Sequence, residues 1–81
     1  MSTEVKYSKF LIGLCLKSGD SLQSIAKNFG IHANRDEINN FVSKLEMDGF
    51  VSKIERSTKE TFAYLSPKGN DKAMSLINGD A

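Results

Sequence analysis

The sequence predicts a mainly helical α+β domain made of three helices, a two-stranded β-hairpin and a C-terminal helix. Three observations carry this prediction. Apolar residues recur at helical spacing in three successive segments. An alternating segment and a β-rich segment then follow, separated by a polar turn. A Ser-Pro pair directly after them is typical of a helix start.

Length and composition limit the range of functions. Eighty-one residues are enough for one small domain, which we expect to span 1–81 with disordered ends at 1–3 and 79–81. The net charge is only +1, so binding to nucleic acid would have to depend on local clusters of positive charge. The longest apolar run, 10–16, is too short to cross a bilayer, and no signal-peptide cleavage site follows it. The single Cys excludes an intrachain disulfide and fits a reducing compartment. Together these features predict a cytoplasmic protein without a membrane partner.

The first helix is predicted at 4–17. On a helical wheel of about 100° per residue, it has two apolar stripes on nearly opposite sides. These stripes are Tyr7, Phe10, Leu11 and Leu14, and then Val5, Ile12 and Leu16. Because a surface helix needs only one apolar stripe, the second stripe indicates burial on both sides. We therefore expect a homodimer that forms through this helix and the apolar C-terminal helix.

Local signals also mark the second and third helices. Ser21 is the predicted N-cap of a helix over 22–29. Asn34 is the predicted N-cap of a helix over 34–48, where Glu37 would complete a capping box. The third helix has a single apolar stripe, formed by Ile38, Phe41, Val42 and Leu45. The second and third helices, joined by a short turn, resemble a helix-turn-helix unit.

The hairpin is predicted over 50–65. Alternation over 50–56 places even-numbered residues on one face and odd-numbered residues on the other, and 61–65 is rich in β-branched and aromatic residues. Ser66 and Pro67 then begin a fourth helix that runs to about residue 78. This order of elements predicts a winged helix. In that fold the third helix would enter the major groove of DNA and the hairpin would lie on the backbone or minor groove.

Two short motifs flank the predicted hairpin. They contain Leu45, Glu46, Gly49, Phe50 and Val51 before it, and Tyr64, Leu65, Ser66, Pro67 and Gly69 after it. This segment resembles the winged-helix transcriptional regulators of the MarR and PadR families, although those families have one residue between the Tyr and the Leu. The chain lacks most of the flanking dimerisation helices of MarR proteins and is similar to a small stand-alone regulator of the phage or plasmid type. The resemblance implies sequence-specific binding to double-stranded DNA and regulation of transcription.

Candidate DNA contacts lie on the outward face of the third helix and around the hairpin turn. Asn39 and Asn40 are the expected base contacts, because Asn can pair with adenine. Basic side chains on the hairpin could follow phosphates or enter the minor groove, although Lys on an exposed strand edge also prevents aggregation. The predicted DNA-binding residues are Arg35, Asn39, Asn40, Ser43, Lys44, Lys53, Arg56, Ser57, Thr58 and Lys59. Ser21 and Gln23 could also meet a phosphate, but capping is the favoured role of Ser21.

The charge of the third helix favours a different function. Two cations and four acids give residues 34–48 a net charge of −2. The six residues are Arg35, Lys44, Asp36, Glu37, Glu46 and Asp48. Acids beside phosphates weaken DNA binding. The alternative is a winged-helix protein-interaction module that inhibits another regulator or acts as its adaptor.

The remaining side chains that could carry chemistry argue against an enzyme. One His and one Cys cannot supply the ligand set of a metal site, and there is no glycine-rich phosphate-binding loop. Cys15 is predicted to be a small core residue and His32 a solvated turn residue. We therefore expect no catalytic residue, metal or cofactor.

Overall fold

The computed structural model describes residues 2–79. Within these residues, the chain forms four α-helices and one two-stranded antiparallel sheet, so the mainly helical α+β class is confirmed. The elements are α1 (Thr3–Leu16), α2 (Leu22–Asn28), α3 (Arg35–Met47), β1 (Val51–Arg56), β2 (Thr61–Leu65) and α4 (Pro67–Ile77). Their order agrees with the prediction, and their ends differ from it by one residue at most.

The N-terminal end differs from the expectation at residues 2 and 3. Ser2 is the N-cap of α1, because its hydroxyl accepts a hydrogen bond from the backbone N–H of Val5 at 3.2 Å. Thr3 is the first helical residue. The ends predicted to be disordered also contain Met1, Asp80 and Ala81. These three residues lie outside the described part of the chain.

Hydrogen bonds from side chains begin α2 and α3 where the sequence predicts. The hydroxyl of Ser21 accepts a bond from the N–H of Ser24 at 3.0 Å. The Asn34 side chain accepts from the N–H of Glu37 at 2.8 Å, and the Glu37 carboxylate accepts from the N–H of Asn34 at 3.4 Å. The predicted capping box is therefore confirmed. It fixes the start of α3, the helix that carries most of the candidate contacts.

The core lies where the inner faces of α1, α2 and α3 meet the hairpin and α4. Its largest fully buried side chains are Phe10, Leu11, Leu22, Ile25, Val42 and Leu45. These come from the first apolar stripe of α1 and from the single stripes of α2 and α3. The second stripe of α1 is not buried within one chain, since Val5 is 45% exposed and Leu16 is 59% exposed.

The alternation predicted for the first strand is wrong at its beginning. Ser52 is an extra residue between the pairs that Val51 and Lys53 form with β2, which makes a β-bulge. A bulge shifts the following residues to the opposite face of the strand. As a result, Val51 and Ile54 both pack against the core, although their odd and even numbers placed them on different faces.

Two backbone carbonyls before β1 are tied to the start of α4. The backbone N–H of Ser66 donates to the carbonyl of Phe50 at 2.9 Å, and the Ser66 hydroxyl donates to the carbonyl of Gly49 at 2.7 Å. The same hydroxyl accepts from the N–H of Gly69 at 3.1 Å, which caps α4. A Cβ atom on Gly69 would collide with the Phe50 carbonyl. These contacts close the base of the hairpin, so its direction is set by the residues of the two flanking motifs.

Candidate nucleic-acid interface

The free end of the hairpin bends back onto α3. A guanidinium N–H of Arg35 donates to the backbone carbonyl of Thr58 at 2.9 Å. A guanidinium N–H of Arg56 donates to Oδ1 of Asn39 at 2.8 Å. The first bond holds the turn and the second holds the end of β1, so the hairpin and α3 face each other at close range.

A third bond attaches the hairpin to α2. The backbone N–H of Thr61 donates to Oε1 of Gln23 at 2.8 Å. The turn itself is closed because the N–H of Ser57 donates to the carbonyl of Glu60, and the N–H of Glu60 donates to the Ser57 hydroxyl. The hairpin end is therefore positioned by two helices and by its own turn.

A cleft of about 220 Å³ lies between α3 and the hairpin, and we call it the α3–hairpin cleft. It is lined by Gln23, Arg35, Asn39, Arg56, Ser57, Thr58, Lys59, Glu60 and Thr61. Three of these residues are cations and one is an acid, which gives a local charge of +2. Across residues 2–79, the ion pairs are Lys6–Glu37 and Lys53–Glu55, so none of the three cleft cations is paired with a carboxylate.

The structure brings six of the ten predicted contact residues together in this cleft. These six are Arg35, Asn39, Arg56, Ser57, Thr58 and Lys59. Ser43 is exposed on α3 outside the cleft. Asn40 and Lys44 line a separate shallow pocket toward α1, and the Lys44 amine lies 5.3 Å from the centre of the Tyr7 ring.

Lys53 is also separate from the cleft. It is on the face of the hairpin opposite Ile54, and its amine lies 2.9 Å from Oε1 of Glu55 and 5.9 Å from the centre of the Tyr64 ring. The hydrogen bond with Glu55 raises the pKa of the Lys53 amine. The positive charge of Lys53 is thus already offset by a neighbouring carboxylate.

Two of the four acids of the third-helix segment are turned toward α1. Oε2 of Glu37 lies 3.1 Å from the Lys6 amine, and this bond, helped by the N–H of Asn34, lowers the pKa of Glu37. Oδ2 of Asp48 accepts a hydrogen bond from the Tyr7 hydroxyl at 2.7 Å. Burial and this bond raise the pKa of Tyr7. The unfavourable charge counted along the sequence is therefore not concentrated at the cleft.

Glu60 and Thr61 also line the cleft, although the sequence did not predict them as site residues. Glu60 was part of the predicted turn. Its position directly after Lys59, a predicted contact residue, was the feature of the sequence that could have placed it at the site. Thr61 is 7% exposed and contributes its backbone N–H, which no side-chain pattern could show. Gln23 belongs to the site, and it accepts a hydrogen bond from Thr61. Ser21 has the predicted capping role and is 2% exposed.

Comparisons with protein-family models, with curated proteins and with solved structures give no match for this chain. In the part of the chain that the structure describes, no group of three or more His, Cys, Asp and Glu side chains is placed to hold a metal ion. No helix among residues 2–79 has both the length and the apolar character needed to cross a membrane.

Proposed function

We propose that this protein is a winged-helix regulator of transcription that binds double-stranded DNA in a sequence-specific manner. In this proposal α3 enters the major groove, and the hairpin lies on the backbone or in the adjacent minor groove. The observation that carries it is the α3–hairpin cleft, where Arg35, Arg56 and Lys59 have no carboxylate partner within residues 2–79 and lie beside Asn39.

The chemistry of the cleft suits a nucleic acid. Guanidinium and ammonium groups bind phosphate oxygens, while an amide on the adjoining helix can bond to base edges. α3 has 13 residues and a length of about 20 Å, which is enough to follow the major groove for several base pairs. Contacts to the backbone and to the bases could therefore form at the same time on one side of the molecule.

The resemblance of 45–69 to MarR- and PadR-like regulators supports the same proposal. The bonds from Ser66 to Gly49 and Phe50 give a structural reason for the two motifs, since they fix the hairpin relative to the helix before it. These residues support the fold, and the contact residues lie elsewhere. A small regulator of the phage or plasmid type would act in the cytoplasm, without a cofactor or catalytic activity.

Salt-dependent DNA binding tests the proposal. The affinity for a labelled random-sequence duplex is measured at several salt concentrations, and phosphate contacts by Arg35 and Lys59 should give a logarithmic slope of about −2. Lys59→Ala should make the slope less steep by about one unit. Lys53→Ala is the matched control and should leave the slope unchanged, because Lys53 is paired with Glu55 on the other face. The absence of binding at low salt would refute the proposal.

We also propose a homodimer that forms through α1 and α4. Large apolar side chains on these two helices are exposed, with Leu16 at 59%, Val5 at 45%, Met74 at 43% and Ile77 at 40%. Leu16→Lys should shift the protein toward the monomer in light scattering coupled to size exclusion. Met47→Lys replaces an exposed apolar residue of α3 and should not shift it. A wild-type protein that is monomeric at micromolar concentration would contradict the dimer.

Two exposed residues of α3 favour a protein-interaction module as the second candidate. Met47 is 86% exposed near the end of α3, and Asp36 is exposed at its beginning. An exposed Met and an acid suit a protein surface better than a phosphate backbone. If no DNA binding occurs at low salt, this candidate becomes the better explanation of the fold.

A further inference from the structure

We propose that Arg56 and Asn39 act together as one reading unit that selects guanine. This inference rests on the proposed DNA-binding function and adds the base that the site prefers. It begins from the hydrogen bond of 2.8 Å that joins a guanidinium N–H of Arg56 to Oδ1 of Asn39.

The bond determines the orientation of the Asn39 amide. A guanidinium group has five N–H donors and no acceptor, so the amide atom that faces Arg56 must be the oxygen. The Nδ2 amide group is then on the opposite side of the side-chain amide from Oδ1 and is directed away from Arg56. Because the donor is charged, this bond is stronger than one between neutral groups.

This orientation changes the base that Asn39 can read. Pairing of Asn with adenine through two bonds requires Oδ1 to accept from N6 while Nδ2 donates to N7. Oδ1 has two lone pairs, and in this structure Arg56 takes one of them and places its charged donors beside the other. The Nδ2 donor is therefore the group of Asn39 that is fully free for a base. The free N–H groups of Arg56 are also donors. An edge that presents mainly donors matches guanine, which has two acceptors, N7 and O6, in the major groove. Arg56 ends β1 directly beside α3, so in this inference it enters the major groove with α3, while the turn of the hairpin lies on the backbone.

The surrounding contacts keep the two side chains together. Arg56 is the last residue of β1 and pairs with Thr61, whose N–H is bonded to Gln23 of α2. Arg35 holds the turn through the carbonyl of Thr58. No carboxylate in residues 2–79 forms an ion pair with Arg56, so Asn39 has no charged competitor for it. The hairpin therefore presents Arg56 to α3 before any DNA is bound.

Selection of bound fragments from random duplex DNA tests the unit, with wild type, Arg56→Met, Asn39→Ala and the double variant. Arg56→Met keeps an aliphatic stem but removes every donor, and its denaturation midpoint should match wild type because the pair is on the surface. We expect one guanine position in the wild-type sites. At this position Arg56→Met should change the preference to adenine, because the Asn39 amide can then pair through both of its atoms.

Affinities for duplexes that differ only at that position give the second measurement. Each single variant should lose about tenfold in preference for guanine, and the double variant should lose no more than either single variant. Equal weakening on all sequences by Arg56→Met would overturn the unit and identify Arg56 as a phosphate contact. Losses that multiply in the double variant would also overturn it. A wild type that binds no DNA at low salt refutes the proposed function itself, and the unit with it.

Discussion

Replacement of Gly69 by Ala tests the junction between the hairpin and α4, because helix propensity and packing predict opposite results. Gly69 is in the first turn of α4, and its backbone is not among the glycines with positive φ. In an ordinary helix, Gly→Ala stabilises a protein by about 0.5–1 kcal/mol. Propensity alone therefore predicts a more stable variant.

The structure predicts the reverse effect. The added Cβ would collide with the carbonyl oxygen of Phe50, which is a backbone atom and already accepts a hydrogen bond from Ser66. Relief of the collision requires a shift of α4 or the loss of that bond. Overpacking costs about 1–3 kcal/mol and a lost hydrogen bond about 1 kcal/mol, which exceeds the gain in propensity. We expect Gly69→Ala to lower the free energy of unfolding by about 1–3 kcal/mol.

Urea denaturation followed by far-ultraviolet circular dichroism measures this change, and the melting temperature should fall by about 4–8 °C per kcal/mol. Lys72→Ala is the control, because Lys72 is exposed on α4 and should change stability by less than about 0.5 kcal/mol. Gly13→Ala gives a comparison in which the new Cβ meets the side chain of Ile25 instead of backbone. If Gly69→Ala is as stable as wild type, or more stable, the collision of the new Cβ with the Phe50 carbonyl does not limit the packing of α4.

Two further predictions concern the helices that carry the site. Asn34→Ala removes the capping box of α3 and should lower the free energy of unfolding by about 1 kcal/mol in urea denaturation, while Asn40→Ala, an exposed residue of the same helix, should change it little. Tyr7→Phe removes the bond to Asp48 and should cost about 1–2 kcal/mol at neutral pH. Because folding raises the pKa of Tyr7, this stabilisation is complete below the ordinary phenol pKa of 10.0 and is lost as the pH rises above it. Wild type and Tyr7→Phe should therefore differ less in stability at high pH, and an unchanged difference there would contradict this assignment.

Short-range signals in the sequence agree best with the structure. The caps at Ser21, Asn34 and Ser66 are formed within three residues of chain, so residue type and spacing are sufficient to predict them. The bulge at Ser52 was not predicted, because it depends on how β1 pairs with β2 and not on β1 alone.

The candidate site was only partly predictable for the same reason. Asn39 and Asn40 are adjacent in the sequence and equally suited to contact a base. In the structure Asn39 is bonded to Arg56 in the cleft, while Asn40 faces toward α1. The two side chains leave the helix about 100° apart. The placement of the hairpin decides which of them lies in the cleft. Lys53 and Lys59 were separated as well, because Lys53 is on β1 beside Glu55 and Lys59 is in the turn that lines the cleft.

The sequence by itself determined the class of fold, the order of the elements and the ends of the helices, because apolar periodicity and capping act over a few residues. The tertiary structure alone decided which candidate contacts share a cleft. That decision depends on bonds between residues far apart in the chain, such as Arg35 to Thr58 and Arg56 to Asn39. Such bonds form only after the core has brought α3 and the hairpin together. A pattern of neighbouring residues in the sequence therefore cannot predict them.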